Sequence, residues 1–425
     1  RPTLLVVDGG ATGMLAALAT AQTGARVTLL ERNNQLGRKL LVTGNGRCNL
    51  SHNPICTEAY CGDRAFIEQF VARWPTAKLV ELLAQLGLAC DEEEGRLYPR
   101  SRRADSVTEL LTAQLTAAGV TIVTNCPVVG IARAAAGFVV TTQDRTEYCA
   151  PRLLLTAGGP AGPQYGATDD GYGWLRGLGH TVAEPRPVLV PMRMKVPHAW
   201  RPATGQKAIV RATLLADARE LMTLTDELLV VDRGLSGPVI MNLSVAWQPG
   251  AAHELLLNFM PHDTQDDVAA LLAATTLPLA TVLAGHLPRA LAAALAAMAG
   301  DAGRKCWRDL TDGQKSGLVQ ALTATRLTID GLDEDWRAAK VTAGGVATGE
   351  LEPDTLASRV MPGLYVAGEL LDIVGISGGH NLHLAFATGW QAGTAAARCA
   401  RRRCGTENER VAFATGWQAG TTAAR

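Results

Sequence analysis

The sequence predicts an α/β fold: one nucleotide-binding domain of the Rossmann type, opened in its middle by a long insertion. Three observations carry this. The chain begins with an apolar strand, a glycine-rich turn, a small-residue helix and a second strand ending in an acid. A strand that stops on glycine returns at residues 152–159 and again at 363–369, and between about Pro191 and Lys340 the character changes to short strands and then helices. A domain begun at residue 3 is therefore completed by residues past 340, which makes the middle an insert.

In chain order, Leu4-Leu5-Val6-Val7 reads as a buried strand. Asp8-Gly9-Gly10-Ala11-Thr12-Gly13 reads as the turn into a helix through Met14 and Leu18. Glycines suit such a turn because its backbone approaches a pyrophosphate and the first helical turn lies against the strand. Free N–H groups at the helix start, aided by the helix dipole, then face the phosphates. Val27-Thr28-Leu29-Leu30-Glu31 follows, and Glu31 is placed to hydrogen-bond an adenosine ribose hydroxyl. Asp8 stands where G-x-G-x-x-G has its first glycine. Aspartate enters the left-handed backbone region more readily than most residues, yet it brings negative charge to a site built for anions. The turn alone leaves open an α/β domain without a ligand.

Helical periodicity covers residues 65–88 and 106–118, and strand-like runs lie at 120–123 and 137–141. Arg152-Leu153-Leu154-Leu155-Thr156-Ala157-Gly158-Gly159 has the form of a buried parallel strand ending on glycines that let backbone pass close to a ligand. Runs at 208–214, 228–231 and 254–259 predict a β-rich insert. Residues 263–325 are rich in leucine and alanine, with prolines at helix starts. Gly363-Leu364-Tyr365-Val366-Ala367-Gly368-Glu369 restores the strand-to-glycine pattern.

A chain of 425 residues has room for two or three domains. Forty basic residues balance forty acidic ones, so the electrostatic footprint of a nucleic-acid binder is missing. The most apolar stretch, 271–299, is interrupted by Pro278, His286, Pro288 and Arg289, and predicts no membrane span. No signal peptide is visible, and nine cysteines without a C-x-x-C pair suit reduced thiols in the cytoplasm. The partner expected is a small molecule, with neither nucleic acid nor membrane; the oligomeric state stays open.

Five separated segments, in order, resemble the bacterial BaiN/RdsA-type NAD(P)/FAD-dependent oxidoreductases. They are Gly37-Arg38-Lys39 through Gly44-Asn45-Gly46-Arg47-Cys48-Asn49-Leu50-Ser51, Gly95-Arg96-Leu97-Tyr98-Pro99, Thr156-Ala157-Gly158-Gly159 with Gly166-Ala167-Thr168-Asp169-Asp170-Gly171-Tyr172, Gly234-Leu235-Ser236-Gly237-Pro238, and Val341-Thr342-Ala343-Gly344-Gly345-Val346 through Gly368-Glu369 to Gly378-Gly379-His380-Asn381-Leu382. The resemblance implies a glutathione-reductase-like FAD-binding Rossmann domain (1–191 and 338–398), an inserted β-barrel domain (192–262 and 326–337) and an inserted helical domain (263–325), followed by a duplicated tail (399–425).

It also implies roles. Gly10, Gly13, Glu31 and Arg32 would hold the ADP half of FAD, with Val128 beside the adenine. Arg38, Lys39, Gly46, Arg47, Cys48 and Asn49 would run past the ribityl chain toward the ring. Ala157, Gly158 and Gly159 would line the cofactor, and Gly368-Glu369 would face the ribityl hydroxyls. Gly378, Gly379, Asn381 and Leu382 would open a helix whose positive end favours negative charge at the ring's pyrimidine edge. The implied activity is hydride transfer through FAD, as NAD(P)H-linked reduction of a conjugated ketone-type small molecule. A flavin-dependent amine oxidase, or a degraded flavin-binding homologue without activity, is the alternative. No second G-x-G-x-x-G follows a strand, so NAD(P)H would dock transiently at the flavin's open face.

His380 stands where the family more often has tyrosine, which makes it the candidate catalytic residue, with an ordinary loop histidine as the alternative. His380 and His383, three apart, have no third ligand in a recognisable spacing, so no metal is expected. Cys48 reads either as a redox thiol beside the ring or as a packing residue. Asp232-Arg233 stand where the family tends to show Thr-His. Residues 385–398 recur almost letter for letter as 412–425. Only one copy can fill the helix slot after Asn381, so the first copy is assigned there, Arg401-Arg402-Arg403 to a solvated linker, and the second copy to a frayed helix or a duplication artefact.

Overall fold

The structure is a computed structural model that describes residues 2–300 and 302–415, with side chains described as far as Arg398. The chain forms two compact units: one runs to Pro185 and resumes at Val341, the other is Arg186–Lys340.

The first unit is organised by a parallel sheet of five strands, in the spatial order Leu364–Val366, Leu153–Leu155, Leu4–Val7, Val27–Leu30, Thr121–Val123. Leu4 and Val6 belong to one apolar cluster, with helix Ala11–Ala21, while Leu5 and Val7 belong to another, with Phe138 and Val140. Both faces are covered, which is why the strand reads as an unbroken apolar run. From Leu4–Val7 the chain moves outward through Val27–Leu30 to Thr121–Val123, then crosses back to Leu153–Leu155 on the other side. The order therefore reverses between Leu4–Val7 and Leu153–Leu155, and the carboxyl ends of those strands flank the crevice where open α/β sheets take ligands.

Residues 65–88 form two helices, Arg64–Arg73 and Thr76–Gln85, because Pro75 ends the first and begins the second. Strands Val128–Ala134, Gly137–Thr142 and Glu147–Ala150 make an antiparallel sheet, and Ser51–His52, Arg96–Pro99 and Cys90–Glu93 make another. Helix Gly378–Thr415 packs against Ala11–Ala21. A Cβ at Gly389 or Gly393 would collide with the carbonyl oxygens of Thr12 or Ala16, and Thr20 Oγ1 donates to the Gly393 carbonyl at 2.9 Å. The first copy of the repeat thus fills the slot. Arg401-Arg402-Arg403 lie within this helix and do not form the linker expected, since no proline interrupts it before Thr415. Most of the second copy, 416–425, lies outside the described residues.

In the second unit seven strands form one sheet, in the order Thr325–Thr328, His253–Asn258, Lys207–Ala216, Arg219–Val231, Gly234–Ser236, Met192–Arg193, Gly331–Leu332. Its pairings are antiparallel, and Ala208, Val210, Ala212, Leu214 and Ala216 alternate into the core along one strand. Strand Arg219–Val231 extends well beyond its apolar end, with polar and apolar residues interspersed from Arg219 to Glu227. Helices Gln265–Ala273, Leu279–Leu283, Arg289–Met298 and Asp312–Thr323 bury leucines such as Leu272, Leu295 and Leu322. Thr264 with Asp267 and Thr311 with Gln314 form capping boxes, while Pro278 and Pro288 stand immediately before their helices. Among the described residues, no helix is long and apolar enough to cross a membrane.

Candidate functional site

At the end of the first strand Asp8 adopts φ 84°, the left-handed backbone that the sequence pattern asks of this position. Its carboxyl Oδ2 accepts the Gly10 N–H at 2.9 Å. Glu31, almost fully buried, accepts the Gly9 N–H through Oε2 at 2.8 Å and the Asn33 N–H and Nδ2 through Oε1, each at 2.7 Å. Two carboxyl groups thus hold the turn's two successive N–H groups. Burial pushes the Asp8 carboxyl well above the usual carboxylate range; the charge of Glu31 adds to this, while the Gly10 N–H and the charges of Lys39 and Arg32 oppose it. Gly13 permits the helix to lie on the strand, since a Cβ there would run into the Asp8 carbonyl. The first intrahelical bond is Met14 N–H to the Gly10 carbonyl at 3.0 Å. The N–H groups of Ala11, Thr12 and Gly13 therefore have no partner within the helix.

A cleft opens beside this turn, lined by Val7, Asp8, Leu30, Val128, Ala157 and Trp174, with Arg32 at its edge. Arg32 bonds Thr168 Oγ1 at 2.7 Å and Asp170 at 3.1 Å. Arg38, exposed, donates to Asn33 Oδ1 at 3.1 Å. Lys39 pairs with Glu369 at 3.0 Å, and Glu369 also accepts the Thr342 N–H at 2.7 Å. A Cβ built on Gly158 would meet nothing nearer than Glu369, at 3.8 Å, whereas Gly159 is closed in by Thr342 and Tyr172. Gly368 donates its N–H to Thr388 Oγ1 at 3.0 Å and packs against Thr12.

The second cluster surrounds the start of helix Gly378–Thr415. Gly44, Asn45, Gly46 and Cys48 all have positive φ, so this loop turns tightly ahead of Asn49. Arg47 turns to Glu93 at 2.8 Å and lies 4.2 Å over the Tyr98 ring. Cys48 is fully buried, and burial pushes its thiol up to about 12, which leaves it a protonated packing residue. Gly378 is exposed and a Cβ there would meet nothing within 4 Å, while a Cβ on Gly379 would lie 2.7 Å from the Asn49 amide and from His52 Cδ2. Asn381 folds back into the preceding loop, accepting the Gly375 N–H at 3.0 Å and donating to the Gly375 and Ser377 carbonyls at 2.8 Å; Leu382 packs on the core.

Three histidines stand behind that helix start. His52 and His380 stack with centroids 4.2 Å apart, and the Ser377 hydroxyl bridges His52 Nε2 at 2.9 Å and His380 Nδ1 at 2.8 Å. His383 is bonded to Ser51 Oγ at 2.7 Å and the Trp74 carbonyl at 2.8 Å. Burial lowers all three, His52 and His383 to about 4 and His380 to about 3, so at neutral pH each is an uncharged imidazole. His52 is a site residue that sequence reasoning missed: it lies 325 residues from Ser377, and no local motif ties the two. Among the described residues no three His, Cys, Asp or Glu side chains gather as a metal site.

A glycine turn and cleft at the switch point of a parallel sheet, with a second glycine helix start in the same unit, are the arrangement of a Rossmann-type α/β domain. The family model for the HI0933-like protein Rossmann domain matches residues 2–395, and the chain belongs to that family. It is 35% identical over 407 residues to the 3-dehydro-bile acid delta(4,6)-reductase of Clostridium scindens, covering 92% of this chain and 98% of the relative. It is 29% identical over 393 residues to the ribosomal RNA dihydrouridine synthase of Escherichia coli, covering 91% and 96%. The 3-ketosteroid delta1-dehydrogenase from Sterolibacterium denitrificans has a similar fold, with a TM-score of 0.50 at 13% identity over 94% of this chain and 99% of that one.

Proposed function

We propose that this chain is an FAD-dependent reductase that draws on NAD(P)H and reduces a carbon–carbon double bond conjugated with a ketone in a small molecule. The observation that carries this is the 35% identity to a delta(4,6)-reductase over 98% of that relative's length. The residues present fit the cofactor: unpartnered helix N–H groups, an open glycine face at Gly158 and nearby cations suit a dinucleotide. The Asp8 carboxyl is opposed to phosphate.

In this reading Ala11, Thr12 and Gly13 bind the pyrophosphate through backbone N–H groups beside Gly10, and Glu31, Arg32 and Val128 hold the adenosine. Arg38 lies along the phosphate side. Lys39, paired with Glu369, sets the ribityl segment together with Gly46, Ala157, Gly158, Gly159 and Gly368. Gly378, Gly379 and Asn49 border the ring, with Asn381 and Leu382 fixing the helix start, Cys48 packing beneath the loop and Arg47 bracing it against Glu93. Bound flavin supplies hydride transfer, while the protein supplies binding, orientation and electrostatics. His380 orients His52 through Ser377. The second unit corresponds to the β-barrel and helical inserts of a glutathione-reductase-like architecture, and the thiols suit a cytoplasmic enzyme.

The 29% relative favours a second reading, reduction of uridine in RNA. The double bond lost when uridine becomes dihydrouridine is also conjugated with a carbonyl, so the chemistry is shared. The balance of 40 basic and 40 acidic residues lacks the excess of cations that RNA phosphates attract and favours the small molecule. The test is anaerobic: NADH or NADPH is added to the yellow protein, followed by a conjugated ketosteroid or a uridine-containing RNA. Bleaching by a nicotinamide and recovery with the ketosteroid is expected. Recovery with RNA alone supports the second reading, and bleaching by an amine in place of either nicotinamide overturns both.

A further inference from the structure

We infer that Asp8 couples flavin uptake to proton uptake, because its carboxyl occupies the backbone donor beside the place where the pyrophosphate settles. The inference rests on the flavin site proposed above. Asp8 Oδ2 holds the Gly10 N–H at 2.9 Å, and a Cβ on Gly10 would sit only 2.8 Å from that oxygen, so the carboxyl lies directly over the turn. Glu31, from the end of the second strand, holds the adjacent Gly9 N–H at 2.8 Å and faces Asp8 with like charge. The cations acting on Asp8 are Lys39 and Arg32, and each already has an acidic partner, Glu369 at 3.0 Å and Asp170 at 3.1 Å. No acidic residue lies in the first turn of helix Ala11–Ala21.

A dianionic group placed on this turn adds negative charge beside a half-buried carboxyl whose hold on a proton is already strengthened by desolvation and by Glu31. The neutral carboxyl relieves the repulsion, and its O–H can donate to a phosphate oxygen. The flavin-bound protein therefore holds more protons than the free protein. By linkage, affinity must then fall as pH rises through the range where free Asp8 ionises.

The test titrates the flavin-free protein with FAD from about pH 6 to about pH 9, by flavin fluorescence and by calorimetry in buffers of differing ionisation enthalpy. The native protein should weaken as pH rises, by up to about tenfold per pH unit where free Asp8 ionises, with buffer-dependent heats that report proton uptake. Asp8→Asn keeps an acceptor for Gly10 and tolerance of positive φ; it should bind more tightly than the native protein at high pH, with a flat profile. Asp8→Gly should do the same. A native affinity that is flat with pH and carries no buffer-dependent heat overturns the inference, as does an Asn variant with the native slope. If neither the native protein nor either variant binds FAD at any pH, the flavin site itself is wrong and the inference falls with it.

Discussion

Two helix starts in the first unit, at Ala11 and at Gly378, follow glycine-rich segments and present backbone N–H groups, yet their side chains treat those donors in opposite ways. At the first, Asp8 and Glu31 reach over the turn and occupy the N–H groups of Gly10 and Gly9. At the second, Asn381 turns its amide back into the 375–377 loop, leaving the helix end bordered by Asn49 and by neutral imidazoles. Negative charge is concentrated at one start and kept away from the other. A shared backbone motif therefore does not fix how a site receives an anion; the side chains one or two residues away do.

Among single substitutions, the largest break in this comparison is expected from Gly13→Ala. Its Cβ would enter the Asp8 carbonyl and crowd Thr156 Oγ1, so helix and strand must separate, at a cost of about 3 kcal/mol. Thermal melting of the purified variant checks this, and an unchanged midpoint would contradict the packing described.

Acid sharpens the contrast next. His383, held uncharged by burial at about 4 against an ordinary 6.5, takes a proton more readily in the unfolded chain. Stability should be full above about pH 6.5 and decline on acidification toward about pH 4, by up to about 1.4 kcal/mol per unit from this group. His52 and His380 act in the same direction. Urea denaturation across that range should show the decline, and His383→Asn should reduce its slope. The same acid should favour flavin at the Asp8 turn, so the two helix starts respond in opposite senses.

The smallest effect is expected from Gly379→Ala. The new methyl would press on the Asn49 amide and His52, ends of side chains that can yield, so about 1–2 kcal/mol of stability is lost. A shifted flavin absorption envelope with little change in the FAD dissociation constant would place the disturbance at the ring side, as the comparison requires.

Local pattern revealed the first start well. The apolar run of Leu4–Val7, the small residues of the helix, the acid at Glu31 and even the left-handed conformation of Asp8 follow from neighbours in sequence. That Asp8 would cap Gly10 and face Glu31 did not, because it depends on two strand ends meeting in the sheet. The second start was legible only as glycines before a helix. Its histidine cluster joins Ser51–His52, Trp74 and Ser377–His383 across more than 300 residues, and no periodicity encodes such a meeting. Pro75 explains the broken helix at 65–88, while Arg401-Arg402-Arg403 were misread because a charged run without a breaker continues a helix as readily as it ends one.

The central claim is that both helix starts serve one flavin. Reconstitution of the flavin-stripped native protein and of Asp8→Asn with FAD, followed by removal of free cofactor and measurement of bound flavin, tests it most directly. One flavin per chain in both, retained more firmly by Asp8→Asn at high pH, is the predicted result. A protein that stays colourless in both forms would contradict it.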